Sequence, residues 1–266
     1  MARDQGSFIW YELMTTDATA AKAFYDKVVG WSIDVQASGD SEVDYRMIGR
    51  ADGGFAGGVL TLTEAMTATG ARPAWFGYVH VADVDAAIGA FTEAGGSVMM
   101  DTTMAGVGRM ALVTDPQGAA IYVMTPVPPA DNPEATSDVF SYDEAQHVRW
   151  NELATSDPDA AIGFYTGLFG WRQEGAMPMG DMGDYKFLHH DDGMIGAVMR
   201  KPAEMPQSAW LFYIGVDDVD RAVAAIGEGG GTILQGPIQI PGGDYSAVCV
   251  DPQGAAFGVV GPRHDT

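Results

Sequence analysis

Cysteine and positive charge are both scarce in this chain, and each scarcity excludes something. Cys249 is the only cysteine in 266 residues, so no intramolecular disulfide can form. Its neighbours Val248 and Val250 are apolar, and a small buried thiol is the expectation. Only 14 Lys and Arg stand against 36 Asp and Glu, a formal net charge of −22. A field of that sign repels phosphate backbones and anionic lipid, so neither nucleic acid nor a membrane is an expected partner. The acidic residues are spread along the chain rather than gathered in a tail, as on a solvated surface. No apolar run approaches the roughly 18 residues that a membrane helix needs. Met1 to Gly6 has no apolar core of a secretory leader, and a cytoplasmic protein is the simplest reading. Familiar catalytic loops are missing too. Gly227 to Gly236 is glycine-rich but follows a helix, so it is no dinucleotide loop, and no Walker loop, His-Glu-x-x-His or Gly-x-Ser-x-Gly occurs.

What the chain does contain, it contains twice. Trp10-Tyr11-Glu12-Leu13, Asp17, Phe24-Tyr25 and Gly30-Trp31 recur as Trp150-Asn151-Glu152-Leu153, Asp157, Phe164-Tyr165 and Gly170-Trp171. Later, Asp115-Pro116-Gln117-Gly118-Ala119-Ala120 recurs as Asp251-Pro252-Gln253-Gly254-Ala255-Ala256. A unit this long is a whole domain, because solenoid periods run to only about 20–50 residues. The spacing predicts domains over 6–126 and 146–262. A Pro-, Asp- and Ala-rich linker over 127–145 joins them, and Val139 and Phe140 in and around it can dock on the surface.

Each half divides again. Phe8 to Met14 reads as a strand, Asp17 as a helix N-cap, and Ala20, Phe24 and Val28 as a helical stripe that Gly30 stops. Strands follow at Ser32 to Gln36, Tyr45 to Gly49 and Gly57 to Leu62. The order then restarts at Trp75 to Val81, with Asp83 capping a helix and strands at Ser97 to Met100, Arg109 to Thr114 and Ala120 to Met124. The second half repeats this, with caps at Asp157 and Asp218. Four strand-helix-strand-strand-strand units result. A helix covers one face of such a unit's sheet, and the other face is left for a second unit or a ligand cleft.

In this unit order, in the Phe-Tyr and Gly-Trp pairs and in the Asp-Pro-Gln-Gly turns, the chain resembles the vicinal oxygen chelate superfamily of glyoxalase I, bleomycin-resistance proteins and extradiol dioxygenases. More narrowly it is similar to tandem glyoxalase-like proteins. The resemblance implies an α+β fold in which four such units form two half-barrel domains. It also implies a small organic ligand and, in the enzymes, a divalent metal held by His and Glu on the first and last strands of paired units. Carried over here, the first-strand positions are Trp10, Phe76, Trp150 and Leu211, and the last-strand positions are Tyr122 and Gly258. None of Trp, Phe, Leu or Gly offers a side-chain donor for such an ion. No cofactor is therefore expected, although the family makes a divalent metal the alternative.

Glu12 and Glu152 lie two positions beyond the tryptophans, so strand alternation puts them on that inner face. A carboxylate in a partly apolar cup can act as a general base. Being present in both halves, each can equally be a scaffold residue. Tyr78 and His80 share parity with Phe76 and offer a phenol and an imidazole for proton transfer, whereas the counterpart of His80 is Gly215. The bland reading of His80 is an edge histidine. Arg109 can clamp an anionic substrate or simply be solvated. Tyr122 and Tyr213 are further candidate binding residues, as are Trp10, Phe76 and Trp150. His189, with the parity of Tyr185 and Phe187, is a better lining candidate than its neighbour His190. Three readings stay open: a proton-transfer enzyme of lyase or isomerase type, a binding protein that sequesters an antibiotic or toxic metabolite, and a metal-dependent lyase or dioxygenase. A homodimer is compatible with each.

Overall fold

The computed structural model describes residues 5–38, 43–130 and 132–264. In the first half, β1 (Phe8–Thr15) leads to α1 (Ala18–Val28), β2 (Ser32–Ile33), β3 (Tyr45–Gly49) and β4 (Phe55–Thr61). A short α2 (Glu64–Ala68) precedes β5 (Ala74–His80), α3 (Val84–Glu93), β6 (Ser97–Met104), β7 (Gly108–Thr114) and β8 (Ala120–Pro126). The second half runs β9 (Val148–Thr155), α4 (Pro158–Phe169), β10 (Arg172–Pro178), β11 (Asp184–His190) and β12 (Gly193–Arg200). It then repeats as β13 (Ala209–Gly215), α5 (Val219–Glu228), β14 (Thr232–Gln239), β15 (Tyr245–Val250) and β16 (Ala256–Gly261).

The strands form two mixed eight-stranded sheets, ordered β2-β3-β4-β1-β5-β8-β7-β6 and β10-β11-β12-β9-β13-β16-β15-β14. This is the α+β architecture that the repeated unit order predicts. The four aspartate caps form: Asp17, Asp83, Asp157 and Asp218 accept from the backbone N–H groups of Ala20, Ala86, Ala160 and Arg221 at 2.7–3.1 Å. Gly170 closes α4 in the left-handed conformation at φ 72°. Two local differences stand out. The strand expected over Ser32 to Gln36 shrinks to two residues, after which only isolated bonds such as Asp34 N–H to Met47 O (3.0 Å) tie it to β3. Helix α2 was not expected; Thr63 caps it by accepting from Met66 N–H.

The chain packs as two compact units, and each draws on both halves. One comprises Met1–Ile9, Gly77–Ser137 and Trp150–Trp210; the other comprises Trp10–Phe76, Asp138–Arg149 and Leu211–Thr266. In the second of these, α1 lies against α5. Phe24 meets Phe257 edge-on at 6.0 Å, and Arg221 donates to the C-terminal carbonyls Lys27 O and Val28 O of α1. Tyr25 is fully buried, accepts from Trp75 Nε1 at 2.9 Å and donates to Asp251 Oδ2 at 3.1 Å. The other unit repeats the arrangement. Phe91 of α3 meets Phe164 of α4 at 4.9 Å, Trp210 Nε1 donates to Tyr165, and Tyr165 donates to Asp115 Oδ2 at 3.0 Å. These contacts explain the repeated Asp-Pro-Gln-Gly motif. Asp115 and Asp251 close their own turns by accepting backbone N–H bonds at 2.8–2.9 Å, and each also receives a tyrosine from the opposite half of the sequence.

Candidate functional site

The alternation of β1 places Trp10 and Glu12 on one face, where Glu12 is buried. Trp10 Nε1 donates to Tyr45 Oη at 2.7 Å. Glu12 is in register with Gly58 on β4, and the ring of Tyr45 lies directly over that glycine. A Cβ at Gly58 would sit 2.2 Å from Tyr45 Oη, so the missing side chain is what lets the phenol reach the tryptophan.

The Trp–Tyr bond recurs in the other unit, where Ala197 and not a glycine is in register with Glu152. Trp150 Nε1 donates to Tyr185 Oη at 2.7 Å, and Tyr185 Oη donates to Glu152 Oε2 at 2.6 Å. The indole of Trp150 lies nearly parallel to the Tyr185 ring (9°, 6.5 Å), and Phe187 meets both edge-on at 6.2 and 6.0 Å. A phenol has one proton. With its oxygen accepting from Trp150, Tyr185 directs that proton at the carboxylate. Glu152 is thus held in one orientation by a charge-assisted bond at the position two residues beyond the family's metal-ligand position.

Sequence reasoning singled out the tryptophans and glutamates but missed the tyrosines. A signal was present: Asp44-Tyr45-Arg46 recurs as Asp184-Tyr185-Lys186 at the same offset that relates Trp10 to Trp150.

The remaining candidates are more scattered. Tyr78 and Tyr122 face each other in register on β5 and β8, and their rings stack at 4.0 Å and 5°. At the matching place in the second half, Tyr213 pairs with Gly258, and its ring occupies the space that a Cβ there would need, at 2.2 Å. Phe76 is half-buried on β5. His80 ends β5, where its backbone exchanges hydrogen bonds with Gly6 and Ser7 at 2.9 Å. Its Nδ1 is buried with no hydrogen-bond partner among the described residues, and so is Nδ1 of His189. His190 instead makes a 2.8 Å contact through Nε2 to Gln5 O. Arg109 is engaged by Asp85 at 2.7 Å, in the first turn of α3, and by Asp101 at 3.0 Å on β6. A surface hollow of about 520 Å³ lies past the end of β9, lined by Ser156, Met182, Arg200 and Lys201 among others; none of the candidate side chains lines it.

The family's metal positions carry few donor atoms in this chain. An indole N–H has no lone pair to give, and here both indoles are donating to tyrosines. Phe76, Leu211 and Gly258 offer nothing, and the sole oxygen at these positions belongs to Tyr122, stacked on Tyr78. These positions do not fit a divalent ion. Elsewhere, Asp52, Asp138 and His147 bring ligand atoms within 4.8 Å of one another. Arg50 already joins the two carboxylates, at 3.1 Å to Asp52 and 2.5 Å to Asp138, and supplies the positive charge that an ion would bring.

The model of the Glyoxalase/Bleomycin resistance protein/Dioxygenase superfamily matches residues 7–123 and 145–259. A relative from Mycobacterium tuberculosis, named "Putative glyoxylase CFP32", is 33% identical over 97% of this chain and 95% of its own. The anthracycline biosynthesis protein DauV of Streptomyces sp. strain C5 is 28% identical over 96% of this chain and 93% of its own. Among solved structures, the Mn(II)-bound glyoxalase from Novosphingobium aromaticivorans superposes with a TM-score of 0.63 at 18% identity, covering 99% of this chain and 84% of that one. The 2,2',3-trihydroxybiphenyl 1,2-dioxygenase of Sphingomonas wittichii gives 0.63 at 15% identity, covering 96% and 90%. At such identities these two likenesses concern the fold.

Proposed function

The chain belongs to the Glyoxalase/Bleomycin resistance protein/Dioxygenase superfamily, and from that premise we propose that it binds a small organic molecule with an aromatic or apolar part and moves a proton on it. The reaction is of lyase or isomerase type. Glu152, and Glu12 in the other unit, take the proton, and the strand positions that serve metal enzymes of this fold carry out no metal chemistry here. The observation that supports this most is the chain of bonds from Trp150 through Tyr185 to Glu152, with Trp10 and Tyr45 repeating its first link. A base held in place before the substrate arrives needs little reorganisation in the transition state. A positioned general base contributes about 10²–10⁴-fold to rate. Tyr185 is placed to steady the charge on Glu152 and, once the carboxylate has taken a proton, to reorganise its own hydrogen bond.

Tyr78, His80, Tyr122, Tyr213 and His189 are proposed to line or polarise the bound molecule. The aromatic relatives fit such a ligand, since anthracyclines carry fused aromatic rings and DauV is named for their biosynthesis.

The test is exchange of carbon-bound hydrogen in D2O, followed by NMR on the compound that co-purifies with the protein and on a panel of small aromatic carbonyl compounds. Wild type should wash deuterium into at least one of them, and Glu152→Gln or Glu12→Gln should slow this 100-fold or more. If the bound compound is returned unchanged and unlabelled, the protein sequesters rather than transforms, and the catalytic reading is wrong.

A further inference from the structure

The two sheets present four outer strands, and three of them are blunted against pairing with another chain. An open edge offers unpaired N–H and C=O groups, and native proteins protect it by brevity, charge, proline or bulges. Strand β2 is two residues long. Strand β10 carries Arg172 and Glu174, shifts register between Gln173 and Ala176, and ends in Pro178. Strand β14 has two register shifts, and Pro237, which has no N–H to give, lies within it.

Strand β6 is the least protected of the four: it has one register shift near its start, between Val98 and Met100, and one charge, Asp101, which Arg109 pairs. It is eight residues long, contains no proline and no basic residue, and among the described residues no strand lies beyond it in the sheet order. Along it, in the β6–β7 turn and just past β8, Val98, Met99, Met100, Met104, Val107 and Val127 are all exposed, from 37% to 60%. Apolar side chains gathered in this way mark a surface that another protein covers.

Charge selects the partner. The β6–β7 hairpin from Ser97 to Met110 holds one acidic residue, Asp101, and one basic residue, Arg109, which pair at 3.0 Å while Arg109 also binds Asp85 of α3 at 2.7 Å. In a chain of net charge −22 this stretch sums to zero. Two copies repel each other over most of their surface but not here.

We propose that β6 is a self-association edge, at which two copies pair antiparallel about a two-fold axis. Such an interface uses the same strand from each copy and closes at two. Its size sets its strength. Eight residues at about 3.4 Å each give an edge about 27 Å long. A strip that narrow falls below the roughly 800 Å² per partner of a standard stable interface. The dimer is therefore a concentration-dependent one, and salt, which screens the remaining repulsion, strengthens it.

Sedimentation velocity of the full chain from micromolar to millimolar concentration tests this. The weight-average mass should rise towards twice the monomer mass, and at a fixed concentration it should rise further with added salt. Thr103→Pro, which removes an N–H that faces away from β7, and Met99→Lys, which puts an unpaired charge on the edge, should each lower the association constant at least 10-fold. Leu234→Lys, on the blunted β14 edge, should leave it unchanged. Circular dichroism identifies any variant that has not folded, and Met99→Lys is the arbiter if the proline variant has not. A wild-type chain that stays monomeric throughout would overturn the proposal. So would association unaffected by Met99→Lys, or masses that climb beyond two.

Discussion

Tyr25 and Asp251 stand 226 residues apart in sequence and share a buried hydrogen bond of 3.1 Å. Tyr165 and Asp115 form the mirror-image bond at 3.0 Å. In each case a helix tyrosine from one half of the chain meets the turn aspartate of the other half. These two bonds tie together segments that the duplication places far apart. Neither half carries the carboxylate to which its own buried tyrosine donates.

Removing either hydroxyl should therefore weaken the fold out of proportion to one atom. Tyr25→Phe leaves Asp251 with its backbone donors and leaves the Trp75 indole N–H without its acceptor, inside a buried cluster. A loss of about 1–3 kcal/mol is expected from unsatisfied buried groups, read as a lower urea midpoint. Tyr165→Phe should behave alike.

The same aspartates give the stability a pH signature. Burial, the dominant influence, raises the carboxyls of Asp115 and Asp251 above their ordinary value, and their hydrogen bonds from backbone N–H groups and tyrosine pull the other way. A folded-state pKa above the unfolded one means that the native state binds the proton more tightly. The resulting contribution is fully present below the unfolded value of about 3.9 and is lost as pH rises through the raised folded value. Asp44 has the opposite sign. The guanidinium of Arg46 holds it below the usual range, so its contribution is present above the unfolded value and disappears on acidification. In urea titrations at stepped pH, Asp115→Asn should lose stability more steeply than wild type as pH falls towards 4. Asp44→Asn should lose it less steeply.

In the candidate site, isosteric changes separate architecture from chemistry. Glu152→Gln keeps an oxygen that can accept from Tyr185, so its unfolding free energy should stay within about 1 kcal/mol of wild type while proton transfer is lost. Tyr185→Phe should do more structural damage, because Trp150 then loses its acceptor. Its expected cost is about 1–3 kcal/mol. Equal destabilisation by both variants would show that the carboxylate has a scaffold role.

Cys249 supplies an independent probe of opening. It is fully buried, and burial pushes its thiol up to about 12. The reactive thiolate is thus almost absent near neutrality. Alkylation by iodoacetamide at pH 8 should follow the rate of unfolding, and rapid labelling of the native protein would contradict the packing around β15.

Much of this architecture is legible in the sequence, for definite physical reasons. Aspartate caps are local, since Asp17 and Asp157 each bind an N–H three residues ahead. Alternation along β1 and β9 is local too, which is why Trp10 with Glu12 and Trp150 with Glu152 could be put on common faces. The exchange of helix partners between halves could not be read, because nothing near Tyr25 names Asp251. The role of Tyr45 escaped for a related reason. It depends on Gly58, a residue notable only for lacking a side chain. Residue type alone left Arg109 open between an anion clamp and a solvated surface residue, and its side chain pairs with Asp85 and Asp101.

The central claim is that Glu152, held by Tyr185 and Trp150, moves a proton without a divalent ion. Its most direct test is the deuterium-exchange rate of the purified protein before and after exhaustive chelation, with divalent metal content measured by mass spectrometry on the same samples. The predicted result is an unchanged rate with far less than one ion per chain. A stoichiometric ion whose removal abolishes exchange, and whose return restores it, would contradict it.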